Sequence, residues 1–251
     1  MISLAGKRVL ITGATSGIGE ACARAFAELG CCLVLTGRRD DRLKALAASL
    51  SNSTGVELTT VVFDVRDLDG IRAIPWPAID ILVNNAGLGV GLDPLQSGNI
   101  EEWDAMIDAN VKGLLYMTRA ILPGMVERKA GHVINLGSAA GHWVYPGGNV
   151  YCATKHAVKA LTEAMRLDLV GTGIRVSSVD PGMVETEFSV VRFRGDAERA
   201  RKVYEGMTPL TAEDVADVIV FCATRRPHVN INQVIMMPVD QAGIGTVCRR
   251  K

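Results

Sequence analysis

The chain has 251 residues, 48% of them hydrophobic and 22% charged, with 27 basic against 27 acidic side chains. That balance is the one of a globular protein in water, and a net charge of zero gives no bulk electrostatic case for nucleic acid or an anionic membrane as a partner. No apolar run approaches the roughly 18 residues a membrane span needs.

A strand-like run begins within a few residues of Met1, which leaves no room for a secretory leader. The six cysteines form no C-x-x-C pair, and the four histidines are scattered. A reduced, cytoplasmic protein without a metal site is expected.

Arg8 to Ile11 predicts a first strand and Ser16 to Leu29 a helix that stops at Gly30. Cys32 to Leu35 follows as a strand, Asp40 to Leu50 as a helix and Leu58 to Phe63 as a third strand. A short helix over Asp67 to Ala73 precedes Pro75-Trp76-Pro77, and Ile79 to Val83 is the fourth strand. Asn99 to Glu127 reads as one long helical stretch, His132 to Leu136 as the fifth strand, and Asn149 to Val170 as a second long helix. Ile174 to Val179, a late helix over Thr211 to Thr224, and a last strand over Val234 to Met237 complete the pattern. Near-continuous Val/Ile/Leu strands belong to parallel sheets covered on both faces. The alternation predicts a single doubly wound Rossmann-type α/β domain over residues 1–251, with a seven-stranded parallel sheet and helices on both faces. The charged, irregular segment 183–206 follows the sixth strand, where ligands bind in this architecture, and is expected to cover the site.

Gly13, Thr15, Ser16, Gly17, Ile18 and Gly19 lie in a G-x-x-x-G-x-G turn between the first strand and its helix. Such glycines permit a tight turn, close approach to a pyrophosphate and close helix packing, with free helical N–H groups facing the anion. A glycine trio by itself is also what any Gly-rich turn offers. The second strand ends in Arg38-Arg39, where an NAD site would carry an acid. Two guanidinium groups suit the 2′-phosphate of NADP, unless they are only a solvated pair.

Tyr151 and Lys155 stand four apart on a predicted helix and so share a face. A neighbouring ammonium favours phenolate and brings a tyrosine toward acid–base use. Ser138, just past the fifth strand, is placed to hold a substrate oxygen. Singly, each has an ordinary surface or turn explanation; jointly, behind a cofactor turn, they form a catalytic set.

With these motifs in order, the chain resembles the short-chain dehydrogenase/reductase family over nearly its whole length. The pieces are Thr12 to Gly19, Asp64-Val65, Asn84-Asn85-Ala86-Gly87, Asn110, Ser138, Tyr151/Lys155 and Pro181-Gly182. The resemblance implies that Asp64 and Val65 border adenine and that Asn85, Ala86 and Gly87 lie along the adenosine ribose. It implies that Asn110 kinks its helix within a proton relay, and that Pro181, Gly182, Val184 and Thr186 meet the nicotinamide. Tyr151 and Lys155 would also hold the nicotinamide ribose, and assembly as a homotetramer is implied.

Further stretches, among them Gly147 to Tyr151, Val191 to Asp196 and His228 to Pro238, are similar to NADP-dependent 3-hydroxy acid dehydrogenases. That implies a small 3-hydroxy acid such as serine, allo-threonine or 3-hydroxypropionate as substrate. Arg192 and Arg194 are then candidate partners for its carboxylate, or else solvated loop charges. Trp143 and Tyr145 either wall the pocket or serve packing or an interface. The rival readings are a ketone or 3-oxoacyl reductase of other specificity, and a non-catalytic NADP(H)-sensing protein.

Overall fold

Short Val/Ile/Leu runs build the centre of the molecule, and a computed structural model describes residues 1–250. Strands β1 (Arg8–Ile11), β2 (Cys32–Gly37), β3 (Leu58–Val62), β4 (Ile81–Asn84), β5 (Gly131–Leu136), β6 (Ile174–Pro181) and β7 (Gln233–Met236) form one sheet. Its order is β3-β2-β1-β4-β5-β6-β7, and every pairing is parallel. The crossovers are helices: α1 (Gly17–Glu28), α2 (Asp40–Thr54), α3 (Leu68–Ala73), α4 (Ile100–Ile107), α5 (Leu114–Arg128) and α6 (Asn149–Asp168). After β6 come α7 (Glu187–Arg192), α8 (Ala197–Lys202) and α9 (Ala212–Ala223), and the strands β8 (Gln241–Gly243) and β9 (Thr246–Val247) make a small antiparallel ribbon.

Alternation along the strands divides the core in two. Val9, Ile11, Leu33 and Leu35 point to α1, α2 and α9 and pack around Phe26, Leu43, Val215 and Ile219. Leu10, Val34, Leu82 and Val133 point the other way, to Met117, Ile121 and Met125 of α5 and Val158 and Met165 of α6. Each large side chain so buried contributes on the order of 1.5–3 kcal/mol. No described helix is long and apolar enough to cross a membrane.

The structure departs from the expected elements at three places. The stretch from Asn99 is interrupted by a π-helical turn over Asp108–Gly113, so it becomes α4 and α5. β3 and β7 are edge strands and half-exposed, because nothing pairs beyond them. The segment after β6 is built from α7 and α8, each started by a side-chain cap, Thr186 and Asp196. The π-helical turn and the α7–α8 segment lie on the side of the sheet where the strand C-termini open.

Candidate active site

The turn from β1 to α1 bends through left-handed glycines, Gly13 at φ 68° and Gly17 at φ 55°. A Cβ on Gly19 would overlap the Gly13 carbonyl, so the helix start can sit this close only with glycine there. Ser16 stands at the N-cap of α1 with extended backbone, and its side chain makes no bond to the helix amides. The first N–H groups of α1 therefore remain for an anion. Ile18 anchors the turn on the α1 side of the core. Asn85 braces it from β4: its Nδ2 donates to the Thr12 carbonyl at 2.9 Å and the Gly13 carbonyl at 3.1 Å. The amides of Asn85 and Ala86 both donate to Thr12 Oγ1.

Arg39 reaches back over this turn. Its Nη2 donates to Thr15 Oγ1 and Ser16 Oγ, both at 2.7 Å, and its Nη1 to Glu187 at 2.9 Å. Arg42, in the first turn of α2, holds the other oxygen of Glu187 at 2.6 Å. Arg38 is two-thirds exposed and lies 3.7 Å from Asp64. Burial pushes the Asp64 carboxyl up, but Arg66 hydrogen bonds, with Arg38 beside it, hold it below its ordinary value. Val65 packs against Gly113 in the π-helical turn. Arg42 and Glu187 were not among the residues expected from sequence. The three-residue step from Arg39 to Arg42 was a local signal; the 148-residue step from Arg39 to Glu187 carried none.

At the C-terminal end of β5, Ser138 caps a 3₁₀ turn, accepting from the Ala140 amide at 3.1 Å. Tyr151 and Lys155 stand one turn apart near the start of α6. Lys155 is 7% exposed; its Nζ donates to the Leu136 carbonyl at 2.9 Å and lies 5.9 Å from the Tyr151 ring centroid. Burial draws the ammonium down to about 8, against the opposing charge of Asp180. Burial pushes the Tyr151 phenol up to about 12, while Arg192 and a hydrogen bond with Ser138 pull the other way. This is opposite in net direction to the expected lowering by Lys155. The ammonium spends its direct bond on Leu136, and desolvation of the phenol outweighs the cations around it.

Asn110 sits inside the π-helical turn. Its Oδ1 accepts from the Leu88 amide and its Nδ2 donates to the Leu88 carbonyl, both at 2.8 Å. The same Nδ2 reaches Thr154 Oγ1 at 3.0 Å. Asn110 thus ties the loop that follows β4 to α6 beside Lys155, and a Cβ on Gly87 would meet its Oδ1 at 2.9 Å.

The segment after β6 closes over these groups. The Gly182 amide donates to Met236 at 2.8 Å, and Val184 bridges to Leu210. Thr186 lies against Gly17 of the turn, 3.3 Å from where its Cβ would be. The structure separates the two candidate arginines. Arg192, 7% exposed, stacks on the Tyr151 ring at 4.5 Å and donates to the Tyr145 hydroxyl at 2.7 Å; its Nε has no partner. Arg194 is half-exposed and engaged by Asp93 and Glu102, which hold its charge beyond the ordinary arginine range. It latches the segment and leaves no free donor face comparable to that of Arg192. Trp143 and Tyr145 part in the same way: Tyr145 joins the Arg192 cluster, whereas Trp143 is 45% exposed.

A family model described as short chain dehydrogenase matches residues 7–196. The chain is 51% identical over 249 residues to the NADP-dependent 3-hydroxy acid dehydrogenase YdfG of Salmonella typhi, covering 96% of this chain and 99% of that one. It is 48% identical to sulfoacetaldehyde reductase 2 of Chromohalobacter salexigens, over 93% of this chain and 95% of the other. The closed form of serine dehydrogenase complexed with NADP+ superposes with a TM-score of 0.90 at 47% identity, over 97% and 100% of the two chains.

Proposed function

The chain belongs to the short-chain dehydrogenase family, and from that premise we propose that it interconverts a small 3-hydroxy acid and the corresponding carbonyl acid with NADP(H). NADP-linked oxidoreduction is the activity of its relatives by name, and the site accommodates the cofactor. The overlap a Cβ would make at Gly19, the uncapped start of α1 and the cations at the end of β2 fit a dinucleotide with a 2′-phosphate. Gly13, Thr15, Ser16, Gly17, Ile18 and Gly19 would hold the pyrophosphate, Arg38, Arg39 and Arg42 the 2′-phosphate, and Asp64 and Val65 the adenine. Asn85, Ala86 and Gly87 would lie along the ribose, and Pro181, Gly182, Val184 and Thr186 along the nicotinamide.

The bound nicotinamide supplies or accepts the hydride. In our reading, Ser138 and Tyr151 hold the substrate oxygen by hydrogen bonds. In oxidation the Tyr151 phenolate oxygen takes the hydroxyl proton; in reduction the phenol returns it. The Lys155 ammonium offsets part of the burial of the phenol, and Asn110 fixes α6 against the loop after β4. The observation that carries the substrate class is Arg192, a buried guanidinium stacked on the catalytic ring with its Nε unpaired. A substrate whose carboxylate lies a few ångströms from the reacting carbon would complete it. A sulfonate offers the same anion chemistry, and the reductase relative acts by name on sulfoacetaldehyde.

We assign the chain to the cytoplasm and to a homotetramer, with the exposed Ala153, Ala160 and Ala164 of α6 available to a second copy. The test of function is a panel of serine, allo-threonine, 3-hydroxypropionate, sulfoacetaldehyde, an acetoacetyl thioester and uncharged alcohols, with NADP+ or NADPH. Anionic substrates should exceed uncharged ones in kcat/KM by roughly 100-fold, the worth of one charge-assisted pair. Equal turnover of uncharged alcohols, or preference for the thioester, overturns the assignment; cofactor binding with no turnover favours a sensor.

A further inference from the structure

Asp180, next to last in β6, is a buried carboxylate, its side chain 2% exposed. A buried charge persists only when its lone pairs are met, and three donors meet these. His142 Nε2 and Gln233 Nε2 both approach Oδ2 at 2.6 Å, and Ser178 Oγ donates to Oδ1. The two nitrogens lie 3.2 Å apart. As both point a hydrogen at the same oxygen, they converge on Asp180 rather than bond each other. The donors come from the turn after β5, from β7 and from β6 itself, so the carboxylate is fixed in place by its own strand and two neighbouring elements.

Its position is set by the strand register. Val179 pairs with Leu136, and the Gly137 amide donates to the Val179 carbonyl at 2.9 Å. A Cβ on Gly137 would overlap Asp180 Oδ1, so glycine is required there for the carboxylate to lie at this level. The preceding residue, Leu136, provides the carbonyl that accepts from Lys155 Nζ. We infer that Asp180 is a positioning residue for the reaction: held by His142, Gln233 and Ser178, it is the buried counter-ion that keeps Lys155 an ammonium. The inference rests on the reading of Lys155 and Tyr151 as the catalytic pair.

The other groups around Lys155 do not supply this charge. Tyr151 on the same helix is a neutral phenol, and Tyr145 is likewise uncharged. Arg192 from α7 is a cation above the Tyr151 ring, and His142 lies behind the carboxylate. Burial alone draws the Lys155 ammonium down, and Asp180 is the charge that opposes this. Removing the carboxylate therefore neutralises Lys155 at lower pH. The Tyr151 phenolate then loses a nearby cation and becomes harder to form.

The experiment follows the Lys155 ammonium directly, by ¹³C NMR of Cε-labelled lysine across pH in the unliganded full chain, with kcat/KM for 3-hydroxypropionate oxidation measured beside it. Lys155→Met identifies the resonance. Asp180→Asn, which keeps the shape and can bond the same partners, should lower the Lys155 midpoint by a pH unit or more. Between the variant and wild-type Lys155 midpoints it should also slow oxidation, because there the variant's phenolate lacks the ammonium that the wild type still carries. An unmoved Lys155 midpoint overturns the inference. A midpoint that falls while the rate profile stays put sustains the counter-ion and overturns the catalytic reading of Lys155 instead. Should Asp180→Asn fail to fold, the wild-type chain still decides. Its Asp180 Cγ resonance must show an inflexion at the Lys155 midpoint, and a flat signal there overturns the proposal.

Discussion

The Arg192 guanidinium lies 4.5 Å from the centroid of the Tyr151 ring and 5.1 Å from that of Phe188. A cation contributed by the segment after β6 is thus stacked on the phenol at the start of α6. It passes directly over Gly89, where any Cβ would overlap it, and the Gly91 amide donates to its carbonyl at 3.0 Å. The stacking favours both an anionic substrate and the phenolate form of Tyr151.

Replacing Arg192 with Met separates these two effects. Loss of the anion partner should raise KM for 3-hydroxypropionate roughly 10- to 100-fold, given about 1.5–3 kcal/mol for a hydrogen bond to a charged group. KM for an uncharged secondary alcohol should stay within about threefold, while kcat falls for both because the phenol loses a cation. Parallel KM changes for both substrates would remove Arg192 from substrate recognition.

Tyr151→Phe keeps the ring and its contact with Phe188 but removes the proton carrier. We expect kcat to drop about 10²–10⁴-fold, the usual range for an acid–base group, with the NADPH dissociation constant within about threefold by fluorescence titration. The wild-type pH profile should have a matching sign. A phenol pushed up to about 12 is protonated at neutral pH, ready for reduction and not for oxidation. Oxidation should therefore climb about tenfold per pH unit through the neutral range while reduction stays flat. Oxidation that is already pH-independent at pH 6 would show that another group, or a much stronger cation effect, governs the phenol.

Local signals explain what the sequence made readable. Val/Ile/Leu runs at β1, β2 and β4 are buried on both faces and point to one architecture, and the four-residue step from Tyr151 to Lys155 defines a helix face. The last strand reads within one residue of β7, whereas the break at Asp108–Gly113 is implied only by the resemblance at Asn110, because a wider helical turn leaves no pattern in hydrophobic spacing. The direction of the Tyr151 shift is not legible in the sequence for a physical reason: sequence shows which cations are near, but not how much water burial removes. Pairings over long separations were not readable either. Glu187 on Arg39 and Arg42, Arg194 on Asp93 and Glu102, and His142 on Asp180 exist only once the sheet is assembled.

Arg39 links the end of β2 to the β1–α1 turn and, through Glu187, to α7. If its role is the 2′-phosphate, Arg39→Ala should weaken NADPH roughly 10- to 100-fold, from the loss of a fork of charged hydrogen bonds. NADH, which lacks that phosphate, should change by no more than about threefold. The two dissociation constants, measured by fluorescence titration on the same preparation, check this. Equal weakening of both would mean that Arg39 acts only as a brace for Thr15 and Ser16.

Lys155 should also leave a mark on stability. Burial lowers its ammonium from 10.5 to about 8, so between those values the unfolded chain binds more protons than the folded one. By linkage, stability then rises with pH across that window, and below it the folded state carries the full penalty, on the order of 3 kcal/mol. Lys155→Met removes the penalty but strips the Leu136 carbonyl of its donor, at a cost of about 1–3 kcal/mol. The absolute gain at pH 7 is therefore small, and its pH dependence is the diagnostic. In the unliganded state the variant's advantage in unfolding free energy should be largest below pH 8 and shrink steadily toward pH 10.5. Other groups that titrate there, such as the buried Cys22 thiol pushed up to about 12, are common to both chains and cancel in the difference. A difference that stays constant with pH would mean that the Lys155 ammonium is as well solvated in the folded chain as in the unfolded one.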